Sequence, residues 1–335
     1  MTEELFVTAR SNELIDPGLH IWTWEVAMYL FMGGLTAGVM IFAALAIARS
    51  KEHVAPFAAH RLALFAPILL SIGMTTLFLD LEHKLYVYRF YTAFKITSPM
   101  SWGAWILIVV YPISVLQILS TIRAGYPALA ARVDRLAIGR VVVDWCERHR
   151  MHIALSVLPF AVALGIYTGI LLSAFGARPF WNSGVLGILF LVSGMSTAAA
   201  MVVLVARQHA EKALFTRIDL VLILAEIGLV ALMLISLASG SGQHIVALQS
   251  VMGGPYTLEF WLFFVCIGLL IPLVLEMLEI SGVSKSLAML APVLVIVGGY
   301  ALRQVVMDAG QESTWTHYET QYSSELLERL HEEIP

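Results

Sequence analysis

The chain has 335 residues, of which 59% are hydrophobic and only 13% charged, with a mean hydropathy of +0.83. That excess of apolar side chains is more than one soluble core buries, so an ordinary soluble domain is excluded. A net charge of −4, from 20 Lys and Arg against 24 Asp and Glu, offers no basic surface for nucleic acid.

Residues 1–21 are acidic and lack the basic start, short apolar run and small-residue cleavage site of a signal peptide, so the first span is expected to remain in the mature protein. Eight apolar stretches of membrane-crossing length follow, at 22–48, 61–80, 100–122, 153–175, 183–206, 217–240, 258–281 and 286–306. An even number places both termini on one side. The connections after spans 1, 3, 5 and 7 hold 13 of the Lys and Arg residues, six of them in 123–152, and the other face holds 7. Because cytoplasmic loops carry the basic excess, both termini are expected in the periplasm. The expected fold is an all-α, multi-pass protein of the bacterial inner membrane. It divides into a periplasmic segment 1–21, an eight-helix membrane domain 22–306 and a periplasmic tail 307–335.

Ionisable and polar residues at membrane depth are costly and mark sites or pathways. In span 1, Trp22, Glu25, Tyr29 and Met32 recur at helical spacing, followed by Gly33, Gly34 and Gly38, which permit close approach of a neighbouring helix. Span 2 ends in Asp80, with His83 just beyond it. The segment 82–95 places Tyr86, Phe90 and Phe94 four apart and predicts a short amphipathic helix in the outer interface. The basic loop 123–152 reads as a helix-compatible cytoplasmic linker. Span 4 brings Tyr167, Thr168 and Gly169 to its outer half. Glu25, Tyr29, Asp80 and Tyr167 therefore reach one depth on one side. Apolar walls with a few hydroxyl and carboxyl groups suit a quinone, whose carbonyl oxygens need donors and whose redox cycle moves two protons with two electrons.

Spans 6 and 7 carry Asp219, Glu226, Glu276 and Glu279 in their inner halves. Asp219 and Glu226, seven residues apart, share a helical face; they form either an inner proton path with Glu276 or carboxylates paired with Arg217 and Lys212. The tail 308–335 places Glu325, Glu328, Glu332 and Glu333 at near-helical spacing, as a solvated helix or a docking surface. Two cysteines, Cys146 and Cys266, are too few for an iron–sulfur cluster or a structural zinc site. None of the ten histidines lies mid-span, where a membrane haem needs its axial ligands. With no metal, haem or iron–sulfur cluster expected in this chain, electrons must pass to a redox partner on the outer face.

The run from Trp22 to Gly38, Leu79-Asp80-Leu81 with Ser98 to Gly103, Tyr167 to Gly169 with Trp181-Asn182, and Gly298-Gly299 with Leu302-Arg303 and Gly310-Gln311 together resemble the NrfD/PsrC family, the membrane subunit of polysulfide-reductase-like complexes. The resemblance spans essentially the whole sequence. It implies a haem-free subunit that binds menaquinone or ubiquinone. It also implies a periplasmic-side ferredoxin-like partner with four [4Fe–4S] clusters, serving a molybdopterin catalytic subunit or a multihaem cytochrome. Where the polysulfide reductase subunit presents an Asn and a His on its first helix, this chain has Glu25 and Tyr29; the family's quinone-contacting Tyr on the fourth helix matches Tyr167.

The expected function is quinol oxidation, or quinone reduction, at the outer side. Tyr29 and Tyr167 bond the quinone oxygens, Glu25 and Asp80 take the protons, and His20 and His83 are candidate relays. Glu226 and Glu276 form the candidate proton path. The alternatives are a proton- or ion-translocating subunit and a passive membrane anchor.

Overall fold

The computed structural model describes residues 22–282 and 289–313. The candidate His20, the segment 1–21, Lys285 and the tail beyond Ser313 lie outside the described residues. Among the described residues, eight helices are long and apolar enough to cross a membrane: Trp24–Ala48, Leu62–Asp80, Pro99–Leu119, Arg150–Ser173, Leu186–Val205, His209–Ala238, Glu259–Ile280 and Leu290–Glu312. Lipid offers no partner for backbone amides and carbonyls, so each crossing segment must satisfy them within its own helix.

Span 1 is the most enclosed of the eight and lies at the centre, packed against spans 2, 4, 5 and 8. Small residues set its contact with span 5. A Cβ added at Gly38 would stand 2.5 Å from the Gly194 carbonyl oxygen and 2.6 Å from the Ala198 Cβ, so only glycine allows the two backbones this separation. Spans 2 and 4 flank one side of span 1, with span 3 packed on span 4; spans 6 and 8 flank span 5, with span 7 packed on spans 8 and 6. Span 7 opens as a π-helix over Glu259–Leu270 and continues as an α-helix over Ile271–Ile280.

The ends of spans 1 and 8 meet. Trp22 donates its backbone N–H to Gln311 Oε1 (2.9 Å) and accepts at its carbonyl from Gln311 Nε2 (2.7 Å). Trp181 donates its indole N–H to the Val306 carbonyl (2.7 Å) and stacks on Trp22, with ring centroids 5.6 Å apart. Both ends of the eight-helix domain therefore lie on one side, as an even number of spans requires.

Three segments depart from the sequence expectation. Span 6 starts at His209, eight residues before the expected 217, because its polar first turn carries Glu211. That carboxylate is fully buried and accepts the N–H groups of Phe57 (3.2 Å) and Ala58 (2.8 Å) at the start of the short helix Pro56–His60. Span 8 continues six residues past 306 to Glu312. The segment 82–95 is not one amphipathic helix. It forms a 3₁₀ turn at Lys84–Tyr86 and a single α-turn at Arg89–Thr92. Its end is pinned to span 3, since Ser101 Oγ donates to the Ala93 carbonyl (3.1 Å) and accepts the Lys95 N–H (3.0 Å). Those bonds draw the backbone toward the bundle, so it cannot extend along the interface.

The loop 123–152 is helical, with Pro127–Val133 and Ala137–Arg148 folded back on each other. Arg123 ties them, reaching Asp134 (2.9 Å), Asp144 (2.7 Å) and Glu147 (2.8 Å).

Candidate functional site

A cavity of about 570 Å³ lies among spans 1 to 4 on the side where spans 1 and 8 meet. Span 1 contributes Trp22, Val26, Tyr29 and Leu30; span 2 contributes Ser71, Met74, Thr75, Phe78 and Asp80; span 4 contributes Tyr167 and Leu171. Gly103, Leu107 and Tyr111 of span 3 close it from below, and Val87, Phe90 and Tyr91 cover it from the segment 82–95. Its size and its apolar walls with a few convergent polar groups are those of a small-molecule site.

Of the four residues expected at one depth, the cavity wall brings Tyr29, Asp80 and Tyr167 together, without Glu25. The two phenols are almost wholly enclosed, 4% and 6% exposed. Neither hydroxyl makes a hydrogen bond to protein among the described residues, so each is available to a bound molecule. Gly103 makes room for Tyr167: a side chain at that position would overlap the hydroxyl-bearing edge of the ring. Tyr91 and Tyr111 were not picked out from the sequence, although a tyrosine midway along an apolar span was the available signal for Tyr111. The Tyr111 hydroxyl lies 3.2 Å from Ser71 Oγ on the wall. Burial, with Tyr111 adding a smaller effect, pushes the Tyr91 phenol above its ordinary range and keeps it a proton donor at neutral pH.

The remaining predicted residues lie apart from the wall. The face of span 1 that meets the cavity is Trp22, Val26, Tyr29 and Leu30, and Glu25 projects to one side of it. Its carboxylate accepts a hydrogen bond from the Thr23 hydroxyl and lies within electrostatic reach of Asp80 and Tyr300. His83 is also outside the cavity, its ring 6.3 Å from that of Tyr86.

Glu226 and Glu276 belong to a second buried polar cluster, among spans 5 to 8. Asp219, fully buried, accepts a hydrogen bond from Ser196 Oγ (2.5 Å) and adjoins the Glu276 carboxyl. Asp219 is therefore not paired with Arg217 or Lys212. Two turns further along span 6, Glu226 adjoins Ser193, which accepts from Arg303 Nη1 (2.7 Å). Arg303 also donates to the carbonyls of Gly299 (2.7 Å) and Phe190 (2.9 Å), and it is fully buried. The structure thus separates the expected Glu226 and Glu276 pair into two rungs, joined through Asp219 and the Ser193 and Ser196 positions of span 5. Asp219 Oδ2, Glu276 Oε2 and Arg303 Nε are buried without a hydrogen-bond partner in the protein. Ionisable groups at membrane depth are costly to keep, and such unpartnered atoms call for a bound water, an ion or a transferred proton.

The model of the polysulphide reductase NrfD family matches residues 11–313. The protein NrfD of Escherichia coli is 30% identical over 305 residues, covering 87% of this chain and 95% of that protein. The polysulfide reductase C subunit of Wolinella succinogenes is 27% identical over 306 residues, 87% of this chain and 94% of that subunit. The NrfD homolog of Haemophilus influenzae is 26% identical with the same coverage. With eight membrane-spanning helices and a family match across nearly its whole length, the chain belongs to the polysulphide reductase NrfD family of bacterial inner-membrane proteins.

Proposed function

We propose that this protein, a membrane subunit of a respiratory oxidoreductase, oxidises quinol in the Tyr167 cavity and passes the electrons to an iron–sulfur partner bound at the same end of the bundle. The observation that carries the reading is the convergence of Tyr29, Asp80 and Tyr167 on one apolar cavity of about 570 Å³, with both phenols free of protein hydrogen bonds among the described residues. A quinol ring is flat and apolar with an oxygen at each end, and two phenols can bond those oxygens. Oxidation releases two protons and two electrons. Asp80, on the wall, accepts protons, and Glu25 beside it relays them to water. Cavity residues Ser71 and Thr75 also line a groove on the lipid side of span 2, which gives a long isoprenoid tail a way in from the bilayer.

The orientation that goes with this reading has both termini and the cavity on the periplasmic side. It rests on the basic residues, and Arg303, counted on the outer face, is buried in the bundle, so the contrast between the faces is sharper than the raw count. The electron acceptor is then a periplasmic-side ferredoxin-like subunit with several [4Fe–4S] clusters, serving a further catalytic subunit. The name of the Wolinella relative, one subunit of polysulfide reductase, supports such an assembly.

A second reading is favoured by a separate observation. The buried file Glu276, Asp219 and Glu226 suits proton transfer between the inner face and the redox site, which would couple turnover to charge movement. A passive anchor is disfavoured by an open cavity whose apolar walls carry two phenols and a carboxyl group.

The test of the main reading is Tyr167→Phe, which removes one donor and keeps the ring. Quinol oxidation by the assembled complex should fall about tenfold, a hydrogen bond being worth ~1 kcal/mol or somewhat more. Unchanged turnover with a short-chain quinol would remove Tyr167 from the site.

A further inference from the structure

At the opposite end of the bundle a second cavity, about 920 Å³, opens between the short helix Pro56–His60, the helix Pro127–Val133 and the turn joining spans 5 and 6. Arg61, Arg132 and Arg207 line it, delivered by three elements distant in sequence. None of the three has a carboxylate within 4 Å among the described residues, whereas Arg123 and Arg150 on the same end are ion-paired. Arg61 is oriented by one bond, from Nε to the Gly125 carbonyl (3.1 Å), which leaves its terminal nitrogens without a hydrogen-bond partner among the described residues. Among the described residues the only carboxylate on the wall is Glu211, which already accepts two backbone N–H groups.

The depth of these charges is informative. Arg61 directly precedes span 2 and Arg207 follows Val205, the last residue of span 5, so the guanidiniums stand where the helices leave the hydrocarbon. That is the level of lipid phosphates. Below them the wall turns apolar, with Phe57 and Phe65, and Leu129 and Val205 expose 38% and 44% of their surface at its edge. Basic groups above an apolar, lipid-facing wall match an amphiphile with an anionic head. The volume exceeds one phosphate ion, and three guanidiniums balance more than one negative charge.

We propose that this pocket binds an anionic phospholipid whose head carries two phosphates, the cardiolipin type, with its acyl chains along Leu129 and Val205. The site is independent of the quinol reading, since it lies at the other end of the bundle and shares no residue with the Tyr167 cavity.

The experiment is native mass spectrometry of the full-length protein in neutral detergent, titrated with cardiolipin and, separately, with inorganic diphosphate. Wild type should bind one cardiolipin tightly. Each Arg→Gln change among R61Q, R132Q and R207Q should weaken binding about fivefold at low salt. The control R135Q/R140Q/R148Q, outside the pocket, should bind as wild type does. R132Q and R207Q remove side chains that make no hydrogen bond or ion pair among the described residues, so these two variants keep the test valid should R61Q, which loses the bond to the Gly125 carbonyl, fail to fold. Equal loss in the control, or unchanged affinity in both single variants, overturns the proposal. Displacement of cardiolipin by equimolar diphosphate also overturns it, because it assigns the pocket to free anions.

Discussion

Gly103 gives the sharpest test of how the Tyr167 cavity is built. A methyl group at this position falls on the hydroxyl-bearing edge of the Tyr167 ring, so Gly103→Ala forces the ring aside or strains the contact. Overpacking of this kind costs roughly 1–3 kcal/mol. A displaced ring also forfeits the bond proposed from its hydroxyl to the quinol oxygen, worth about 1 kcal/mol. Together these imply about 2–4 kcal/mol lost from transition-state binding, at the low end roughly a thirtyfold fall in kcat/KM. The assay is oxidation of a short-chain quinol by membranes containing the complex, with an artificial electron acceptor, and co-purification of partner subunits as the check on assembly. Because both changes act on one hydroxyl, the double variant Gly103→Ala/Tyr167→Phe should cost clearly less than the sum of the two singles. Wild-type kcat/KM in assembled Gly103→Ala, or strict additivity in the double variant, would refute the placement of this ring at the reacting quinol.

Reporter fusions after residue 335 should behave as periplasmic and fusions within 123–152 as cytoplasmic; the reverse pattern would place the Tyr167 cavity on the cytoplasmic side. Glu226→Gln and Glu276→Gln should lower charge movement per electron in proteoliposomes while sparing quinol binding, and full charge movement in both would make these carboxylates structural. The Arg123 guanidinium holds the Asp134 carboxyl below the usual carboxylate range, so the pairing contributes at pH values above the unfolded pKa and is lost as pH falls through the depressed one. The protection of amides in 127–148, taken relative to the intrinsic exchange rate at each pH, should therefore be high at neutral pH and fall in acid, and Arg123→Gln should show the reduced protection already at neutral pH. Equal rates in Arg123→Gln and wild type would show that the clamp does not hold this loop.

The eight spans were legible because a run of about 20 apolar residues has few alternatives in a sequence this hydrophobic. Hydropathy misplaced the ends where polar side chains find partners inside the protein. Glu211 looks like a loop residue until the amides of Phe57 and Ala58 are seen to take it up, and Gln311 until it clasps Trp22. The shared depth of Tyr29, Asp80 and Tyr167 could be counted along each helix, but rotation about the helix axis could not. Glu25 and Tyr29 seemed to share a face, yet neighbouring helices turn Val26 and Leu30 to the cavity and leave Glu25 at its flank. The helix expected over 82–95 failed for a similar reason: its pattern was amphipathic, and the bonds from Ser101 that redirect it come from another element.

The clasp between Trp22 and Gln311 bears on how the protein is made. Trp22 is part of the cavity rim, and it is held by a glutamine that leaves the ribosome almost 290 residues later. Spans 1 to 4 can enter the bilayer and surround the cavity early in synthesis. The rim keeps an unfastened edge until span 8 has inserted and delivered Gln311, with Val306 receiving the Trp181 indole beside it. Completion of the Tyr167 cavity therefore coincides with completion of the membrane domain, and a translation product stopped before span 8 carries the cavity walls without the fastening that finishes them.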